Sequence, residues 1–525
     1  MSFASLTFAF FLIAVFTVYW LALPVKWHRA RLAWLLVCGY AFYGWWDWRF
    51  ALLLIASTLV TWACALKGPG KRRWAIVSVV FNIGILVVFK YLGFFGEGLQ
   101  RLLALFGAGL DWFTADVLLP VGISFYTLQA ISYSVDVYKG RISPERSLLA
   151  YALYIGFFPQ LVAGPIERAQ DILRQLRQRI LWDTNRAIQG MRQLLWGLFK
   201  KCVVADGLAY WVINGYDVRL HDTSEGASFE CFIAVMAFAL QLYGDFSGYS
   251  DIARGTARLL GIELMNNFLY PYFSRNAVEF WRRWHRSLMR WFTTYVYIPL
   301  GGSRTSRTWV NVMIVFALSG LWHGASLNFM LWGVLCGVWV VTAKLCRCRP
   351  HSPVVGGVTA AEGDGRISDD VATRADAMKM AGVFICYSLT LVIFRLTDAS
   401  EALLMWQRLI WPGAPIMAAI LLAAWLVGAK CRLNAKTLLA ATAVVYATLL
   451  VVWPQATLAK TFGAAPFIAA AVMMAAEWRS RRRSFALEKM PRNPVARYAI
   501  YFALYIAIFC FSIDSSVPQF IYFQF

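Results

Sequence analysis

Residues 309–346 read WVNVMIVFALSGLWHGASLNFMLWGVLCGVWVVTAKLC, and Lys344 is the only charged side chain among them. A helix of about 20 apolar residues crosses a hydrocarbon core of about 30 Å, so this stretch is long enough for two crossings. The basic residues Arg347 and Arg349 follow directly. The segment therefore predicts a helical hairpin that spans the membrane twice, with His323 deep in its apolar sequence.

The whole chain has the composition of a membrane protein. Of its 525 residues, 60% are hydrophobic and 15% are charged, and the mean hydropathy is +0.57. Soluble domains carry about 25% charged residues, so too few polar side chains are present to cover a water-soluble globule of this size. The net charge of +22 comes from basic residues that flank apolar spans. This pattern predicts contact with membrane lipid and not with nucleic acid.

Basic residues between the apolar spans predict which loops face the cytoplasm. Lys26, Arg29 and Arg31 follow the first span, which places the N-terminus outside, and 250–308 carries nine arginines against three acidic residues. Alternation then places 250–308 in the cytoplasm and the C-terminus outside. Besides the hairpin, crossings are predicted near 3–23, 32–46, 50–66, 74–95, 117–135, 194–213, 228–248, 379–397, 412–429, 437–455, 461–477 and 498–515. The expected fold class is an all-α polytopic membrane protein with about 11–14 transmembrane helices.

The apolar stretch 148–165 interrupts this alternation. Basic segments flank it on both sides, so both of its ends are expected on the cytoplasmic side, and it contains Pro159, Gly164 and Pro165. Irregular backbone at membrane depth is tolerated where protein or a water-filled cavity surrounds it. The stretch is therefore predicted to be a re-entrant element.

His323 is the first candidate for chemistry. It stands in the sequence LSGLWHGA, with Gly320 and Gly324 nearby. Ionisable residues at membrane depth are costly and usually functional, although such a histidine can also serve only as a hydrogen-bond partner of a neighbouring helix. Neutral imidazole is a good general base near neutral pH. We expect His323 to be catalytic.

The sequence EFWRRWHRSL at 279–288 combines aromatic and basic residues at helical spacing. It is typical of an interfacial helix whose arginines face anionic lipid. In the alternative interpretation, Arg282 and Arg283 bind the phosphates of an acyl donor, because arginine binds phosphate in a bidentate manner. His285 lies in the same motif.

A third polar cluster, QLYGDFSGYSD at 241–251, contains Tyr243 and Asp245 at the end of a predicted span. These residues either line a polar tunnel that binds substrate or terminate a helix. The sequence alone leaves both interpretations open.

Other familiar sites are missing from the sequence. It contains no nucleotide-binding glycine motif, no Walker lysine, no zinc-protease motif and no nucleophile elbow. Cys346, Cys348 and His351 lie close together, but no fourth ligand is near, so no metal site is expected.

Seven short motifs stand out along the chain. They are LPVGISFY at 119–126, FPQLVAGPI at 158–166, LYGDFSGYS at 242–250, EFWRRWH at 279–285, GGSR at 301–304, WHG at 322–324 and FIYFQF at 520–525. In this order they resemble the membrane-bound O-acyltransferase family, in the bacterial branch that acetylates polysaccharides. The resemblance covers nearly the whole chain and is weakest after about residue 345.

The resemblance implies a single acyltransferase domain, 1–525, with a catalytic core at about 117–346 and C-terminal helices at about 379–525. Its fold would be a ring of transmembrane and re-entrant or interfacial helices around a thinned, funnel-like centre. His323 matches the family's catalytic histidine, and His285 matches a second histidine of this branch. Trp322 is expected to contact substrate.

The implied reaction takes acetyl from cytoplasmic acetyl-CoA, a substrate rather than a bound cofactor, across the inner membrane. An extracytoplasmic acetyltransferase and polysaccharide export machinery would be its partners, and an alginate- or cellulose-like polymer would be the acceptor. Tyr522, in the C-terminal motif, would relay the acetyl group, because a phenyl ester is more activated than a sugar ester. The alternative for Tyr522 is an aromatic anchor at the membrane interface.

Two alternatives to this function stay open. A secondary transporter would also have many spans and a buried histidine, but such transporters often show an internal repeat, and the Trp322-His323-Gly324 segment has no second copy. An acyltransferase acting on peptidoglycan or another envelope polymer is the other alternative.

Overall fold

The computed structural model describes residues 1–107, 119–162, 164–224, 226–346, 374–396, 398–410, 465–512 and 521. Throughout these residues the regular structure is helical, and they contain no β-strand. The predicted all-α class is therefore confirmed.

Six of the described helices are long and apolar enough to cross a membrane. They are Trp48–Lys67, Arg72–Ala104, Ala227–Leu259, Leu327–Leu345, Ala375–Arg395 and Pro494–Phe511. Two shorter apolar helices are Leu6–Ala22 and Thr308–His323. The chain is thus a multi-pass membrane protein. The predicted spans 412–429 and 437–455 lie outside the described residues, so the total of about 11–14 crossings and the funnel-like centre stay predictions.

The chain divides into two compact units. The first consists of Met1–Met191, Ala253–Met265 and Trp322–Ser326. Its helices are α1 (Leu6–Thr17), α2 (His28–Gly44), α3 (Trp48–Lys67), α4 (Arg72–Leu86), α5 (Leu92–Ala104), α6 (Ile123–Tyr138), α7 (Leu148–Gly156), α8 (Phe158–Leu161), α9 (Ala169–Leu176) and the first half of α10 (Thr184–Leu198), up to Met191. Five-residue π-helical segments extend α1 over Val18–Ala22 and join α4 to α5 over Val87–Tyr91.

Hydroxyl and amide groups hold α3, α4 and α6 together inside this unit. Asn82 donates to Thr61 Oγ1 at 3.0 Å and its Oδ1 accepts from Ser57 Oγ at 2.6 Å. Ser78 Oγ lies 2.7 Å from Ser134 Oγ. Such bonds support helix association where the hydrophobic effect between helices is weak.

The stretch 148–165 is irregular, as predicted. Its first helix, α7, ends at Gly156, and Phe157 has an extended conformation before the single turn α8. Gly122 packs against this turn with a φ of +73°, and a Cβ there would lie 2.1 Å from the Leu161 carbonyl oxygen. Only glycine fits such an approach. The position of the stretch relative to the bilayer stays a prediction.

The second unit consists of Arg192–Ile252, Asn266–Leu321 and Leu327–Phe525. Its helices are the end of α10, α11 (Asp206–Ile213), α12 (Ala227–Leu259, continuing into the first unit), α13 (Ala277–Arg283), α14 (Arg286–Phe292), α15 (Thr308–His323, whose last residues belong to the first unit), α16 (Leu327–Leu345), α17 (Arg374–Arg395), α18 (Ala399–Ile410), α19 (Ala465–Arg479) and α20 (Pro494–Ser512). Three π-helical segments, Phe199–Ala205, Asn214–Val218 and Thr293–Tyr297, and the 3-10 turn Pro271–Phe273 complete it.

Helix α12 is longer than predicted. The sequence indicated a span over 228–248 followed by a loop from 250, whereas the helix continues to Leu259. Arg254 and Arg258 therefore lie on a helix rather than in a loop. Basic residues suit the C-terminal end of a helix, where the dipole favours positive charge.

The predicted hairpin is present as α15 and α16, which cross closely. A Cβ on Gly320 would lie 2.1 Å from the Phe329 carbonyl oxygen, and a Cβ on Gly333 would lie 2.2 Å from that of Phe316. Small residues let two membrane helices approach to backbone contact. This crossing lies just before His323 in the chain.

Candidate active site

His323 is the last residue of α15, and it is buried with 6% of its surface exposed. Its ring lies 4.9 Å from the ring of Trp322, in an edge-on arrangement. The indole of Trp322 in turn makes an edge-on contact with Phe125 of α6 at 5.4 Å. The imidazole therefore lies at a helix end within an aromatic environment of the first unit.

Lys90 binds the end of this helix. Its ammonium group donates to the Trp322 carbonyl oxygen at 2.6 Å and to the His323 carbonyl oxygen at 2.9 Å. The last carbonyl groups of a helix lack intrahelical donors and carry its negative dipole end, so a cation is well suited to this position. Lys90 also lies 5.9 Å from the Trp322 ring centroid. One side chain thus fixes the backbone at both candidate residues.

His285 belongs to the second unit and joins α13 to α14. It has a left-handed backbone conformation with φ of +43°, uncommon for a residue with a side chain. Its Nδ1 lies 3.1 Å from Asn267 Oδ1, and its ring contacts Phe246 at 4.7 Å. Strained backbone of this kind occurs at functional sites when the surroundings enforce it.

The partners of Asn267 define the tautomer of His285. The Asn267 atom that faces His285 also accepts the backbone N–H of Ser287 at 3.2 Å, so it must be the amide oxygen. His285 Nδ1 therefore donates, and the lone pair of the neutral ring lies on Nε2. Burial lowers the pKa of His285 from 6.5 to about 3, so the ring is neutral at physiological pH.

The two candidate arginines have different environments. Arg283 is buried, forms an ion pair with Glu279 and donates to the Phe273 carbonyl oxygen at 3.2 Å. Of these two arginines, only Arg282, the preceding residue, is exposed.

Tyr243 is buried in the interior of α12, so the interpretation that this motif terminates a helix is wrong. Its hydroxyl donates to Glu477 Oε2 at 2.7 Å. Lys200 forms an ion pair with Asp251 and lies 3.7 Å from Glu477 Oε1. Both carboxylates therefore have a cation nearby, as buried charges require.

Tyr243 and His285 contact a common side chain. The ring of Phe268 lies 5.9 Å from that of Tyr243 and 6.4 Å from that of His285. The structure thus brings these two candidates into one aromatic cluster of the second unit.

Asp245 forms a second buried ionic group on α12. Its Oδ1 lies 2.9 Å from the ammonium of Lys201, which also binds Asp206 Oδ1 at 2.7 Å. Its Oδ2 accepts the backbone N–H of Ile521 at 2.8 Å. Both oxygens of Asp245 therefore have partners within the chain.

The candidates predicted from the sequence belong to different units. Trp322 and His323 lie in the first unit, while His285, Arg282, Arg283, Tyr243 and Asp245 lie in the second. Tyr522 lies outside the described residues. Four further ionisable residues that the sequence interpretation did not consider are Lys90, Lys200, Lys201 and Glu477. Each of them lies within a predicted apolar span, which is the signal that could have identified them.

No group of three His, Cys, Asp or Glu side chains in the described part of the chain is arranged to hold a metal ion. Of the cysteine–histidine group considered above, Cys348 and His351 lie outside that part.

Comparison with known proteins identifies a family whose sequences are similar to this chain. The family model described as "MBOAT, membrane-bound O-acyltransferase family" matches residues 141–352. The chain is 35% identical over 356 residues to "Probable alginate O-acetylase AlgI" of Azotobacter vinelandii, which covers 66% of this chain and 69% of that protein. The protein of the same name from Pseudomonas aeruginosa is 36% identical over 354 residues, 66% of each chain.

A third relative has a different name. "Peptidoglycan O-acetyltransferase" of Helicobacter pylori is 35% identical over 341 residues, which cover 58% of this chain and 63% of that protein. The aligned regions thus span about two thirds of the relatives' lengths. Identity at this level over this length shows common descent, and the chain belongs to the membrane-bound O-acyltransferase family.

Proposed function

We propose that this O-acyltransferase takes acetyl from cytoplasmic acetyl-CoA and moves it across the inner membrane for O-acetylation of an extracellular or cell-wall polysaccharide. The observation that carries the proposal is the buried imidazole of His323 at the end of α15, with Lys90 bound to the backbone at the same point. The proposed final acceptor is an alginate- or cellulose-like polymer, and relatives named as alginate O-acetylases support the alginate-like one.

His323 acts as the general base in this proposal. Its imidazole takes the proton of the acceptor hydroxyl as that oxygen forms a bond to the thioester carbonyl carbon. The carbon–sulfur bond then breaks, and the imidazolium returns the proton to the leaving thiolate. General base catalysis of this kind contributes about 10²–10⁴-fold. His285, neutral and with its lone pair on Nε2, assists or orients a reacting group.

The donor is bound from the cytoplasm by the basic stretch 250–308. Arg282 contacts the donor phosphates, since it is the exposed one of the two neighbouring arginines. Arg283 supports it indirectly through its pairing with Glu279. This assigns the direct contact to one of the two arginines that the sequence suggested.

Tyr522 supplies the acceptor hydroxyl at the thinned centre and passes the acetyl group to an extracytoplasmic acetyltransferase that works with the polysaccharide export machinery. Both termini lie outside in this topology. Peptidoglycan is the second candidate polymer, favoured by the relative from Helicobacter pylori.

Proteoliposomes supplied with labelled acetyl-CoA test the proposal. The wild-type protein should transfer label to itself, to a partner or to a polysaccharide. His323→Ala should lose about 10²–10⁴-fold in rate while remaining inserted and folded. Ser326→Ala, an exchange close to His323 in the chain, is the control. Wild-type protein that moves label across the membrane without forming an ester would instead indicate a transporter, and normal transfer by His323→Ala would contradict the role of this residue.

A further inference from the structure

We propose that Asp245 anchors the chain's own C-terminal tail by accepting a hydrogen bond from the backbone N–H of Ile521. We call this anchoring site the seat of the tail. The bond from this N–H to Asp245 Oδ2 is 2.8 Å long and joins residues 276 positions apart in the sequence. Ile521 itself is buried, with 4% of its surface exposed. Asp245 thus serves the protein's own tail.

The surroundings of Asp245 explain why it suits a backbone N–H. A buried carboxylate needs both a countercharge and donors for its remaining lone pairs. Lys201 supplies the charge on Oδ1, at 2.9 Å. The tail supplies the donor on Oδ2, and hydrogen bonds to a charged acceptor are stronger than neutral ones.

Asp206 keeps this seat in place. Its Oδ1 lies 2.7 Å from the Lys201 ammonium. Lys201 therefore retains an anionic partner when the Asp245 carboxylate is removed. This property makes Asp245 open to substitution without leaving a buried lysine unpaired.

Apolar packing acts together with the hydrogen bond. Ile521 is part of the buried hydrophobic cluster of the second unit, together with Leu242 on the preceding turn of α12 and with Phe485. A polar anchor and an apolar anchor on one residue fix both its position and its orientation.

The seat has a consequence for the relay, and this step rests on the proposed function. Tyr522 is the residue after Ile521, so a fixed Ile521 limits the positions from which the Tyr522 hydroxyl can react. Asp245 is then a positioning residue for acyl transfer.

Amide hydrogen exchange of the full-length protein in detergent tests the seat without measuring acetylation. In wild-type protein the Ile521 amide should be protected. Asp245→Ala should accelerate its exchange about 10- to 100-fold, the range that corresponds to a hydrogen bond with a charged group. Asp245→Asn, which keeps the shape and one acceptor oxygen, should retain part of the protection.

Asp206→Ala is the matched control, because it removes the other carboxylate of Lys201 but leaves the Asp245 carboxylate that accepts the Ile521 N–H. Protection at Ile521 should persist in this variant. Unchanged protection in Asp245→Ala, or equal loss in Asp206→Ala, would overturn the proposal. The thermal midpoint of each variant identifies any loss of protection that comes from general unfolding. If Asp245→Ala is unfolded, the exchange rate of the Ile521 amide in Asp245→Asn tests the hydrogen bond instead.

The relay is tested separately by Tyr522→Phe, which removes only the hydroxyl. Ile521 should stay protected in this variant while acetyl transfer is lost. Normal transfer with Ile521 protected would remove the relay from the proposed function and leave the seat intact. Loss of protection at Ile521 in Asp245→Ala with normal transfer would show that the tail is seated without positioning the reaction.

Discussion

The Lys90 side chain, on an apolar helix, donates a hydrogen bond to the backbone of the candidate catalytic residue His323. Lys90→Met keeps the length of the side chain and removes the two donors to Trp322 and His323. We expect kcat to fall about 10-fold or more, because hydrogen bonds to a charged group contribute about 1.5–3 kcal/mol, while KM for the donor changes little. Steady-state kinetics of acetyl transfer measure this split.

Lys90→Arg should restore part of the activity, since it keeps a cation and its donors at the helix end. Lys67→Met, at the exposed end of α3, is the matched control and should have wild-type kinetics. If Lys90→Met loses folded protein in proportion to its activity, Lys90 only stabilises the fold.

Alanine substitutions of the neighbouring residues Arg282 and Arg283 are expected to have different effects. Arg283→Ala leaves the buried Glu279 without its cation, which should cost about 3–5 kcal/mol of stability. Arg282→Ala should keep the thermal midpoint and raise KM for the acetyl donor. Thermal unfolding and donor titration of both variants check this. An unchanged KM in Arg282→Ala would make this arginine a lipid anchor.

The crossing of α15 and α16 determines the course of the chain just before His323. In Gly320→Val the added Cβ alone would lie 2.1 Å from the Phe329 carbonyl oxygen. Helices α15 and α16 must therefore separate to accommodate the valine side chain. We expect a loss of about 1–3 kcal/mol or more from overpacking, seen as a lower thermal midpoint in detergent. Gly382→Ala in α17, where nothing lies within 4 Å of an added Cβ, is the control and should be neutral or stabilising. Equal midpoints for Gly320→Val and wild type would contradict the close crossing.

Two of the described π-helical segments share a feature that no sequence pattern indicated. Lys90 lies in Val87–Tyr91, and both Lys200 and Lys201 lie in Phe199–Ala205. A π-turn widens the helix locally and is frequent at functional sites. The three lysines that bind polar partners inside apolar helices are therefore found where the helix departs from regular geometry.

The topology of the whole protein rests on the side of the basic stretch 250–308. Ser303 is exposed within this stretch, and Thr223 is exposed in the loop that the charge pattern places outside. In intact cells a membrane-impermeant thiol reagent should label Thr223→Cys and should label Ser303→Cys only after permeabilisation. The parent chain sets the background from its native cysteines. Labelling of Ser303→Cys in intact cells would reverse the topology and remove the basis for donor binding from the cytoplasm.

Much of the fold follows from the sequence, because a bilayer restricts a crossing segment to a helix of known length. The spans at 50–66 and the hairpin 309–346 agree closely with α3, α15 and α16. The boundary after 248 was wrong because polar side chains were taken as the end of a helix. In α12 these side chains instead have partners inside the protein, so the helix continues.

His323 can be selected as a candidate from the sequence because a lone imidazole in apolar sequence is energetically costly. The partners of the other candidates could not be predicted, since they are distant in the chain. Lys90 binds residues more than 230 positions away, and Asp245 binds Ile521 across 276 positions.

The sequence by itself determined that the chain is a helical membrane protein, where its main hairpin lies and which histidine is the first candidate. These features depend on local composition and on the length of apolar segments. Only the tertiary structure decided that Arg283 is paired while Arg282 is exposed, that His285 donates through Nδ1, and that Asp245 binds the tail. Such pairings depend on which groups folding brings within about 3 Å of each other, and no periodicity along the chain encodes that distance.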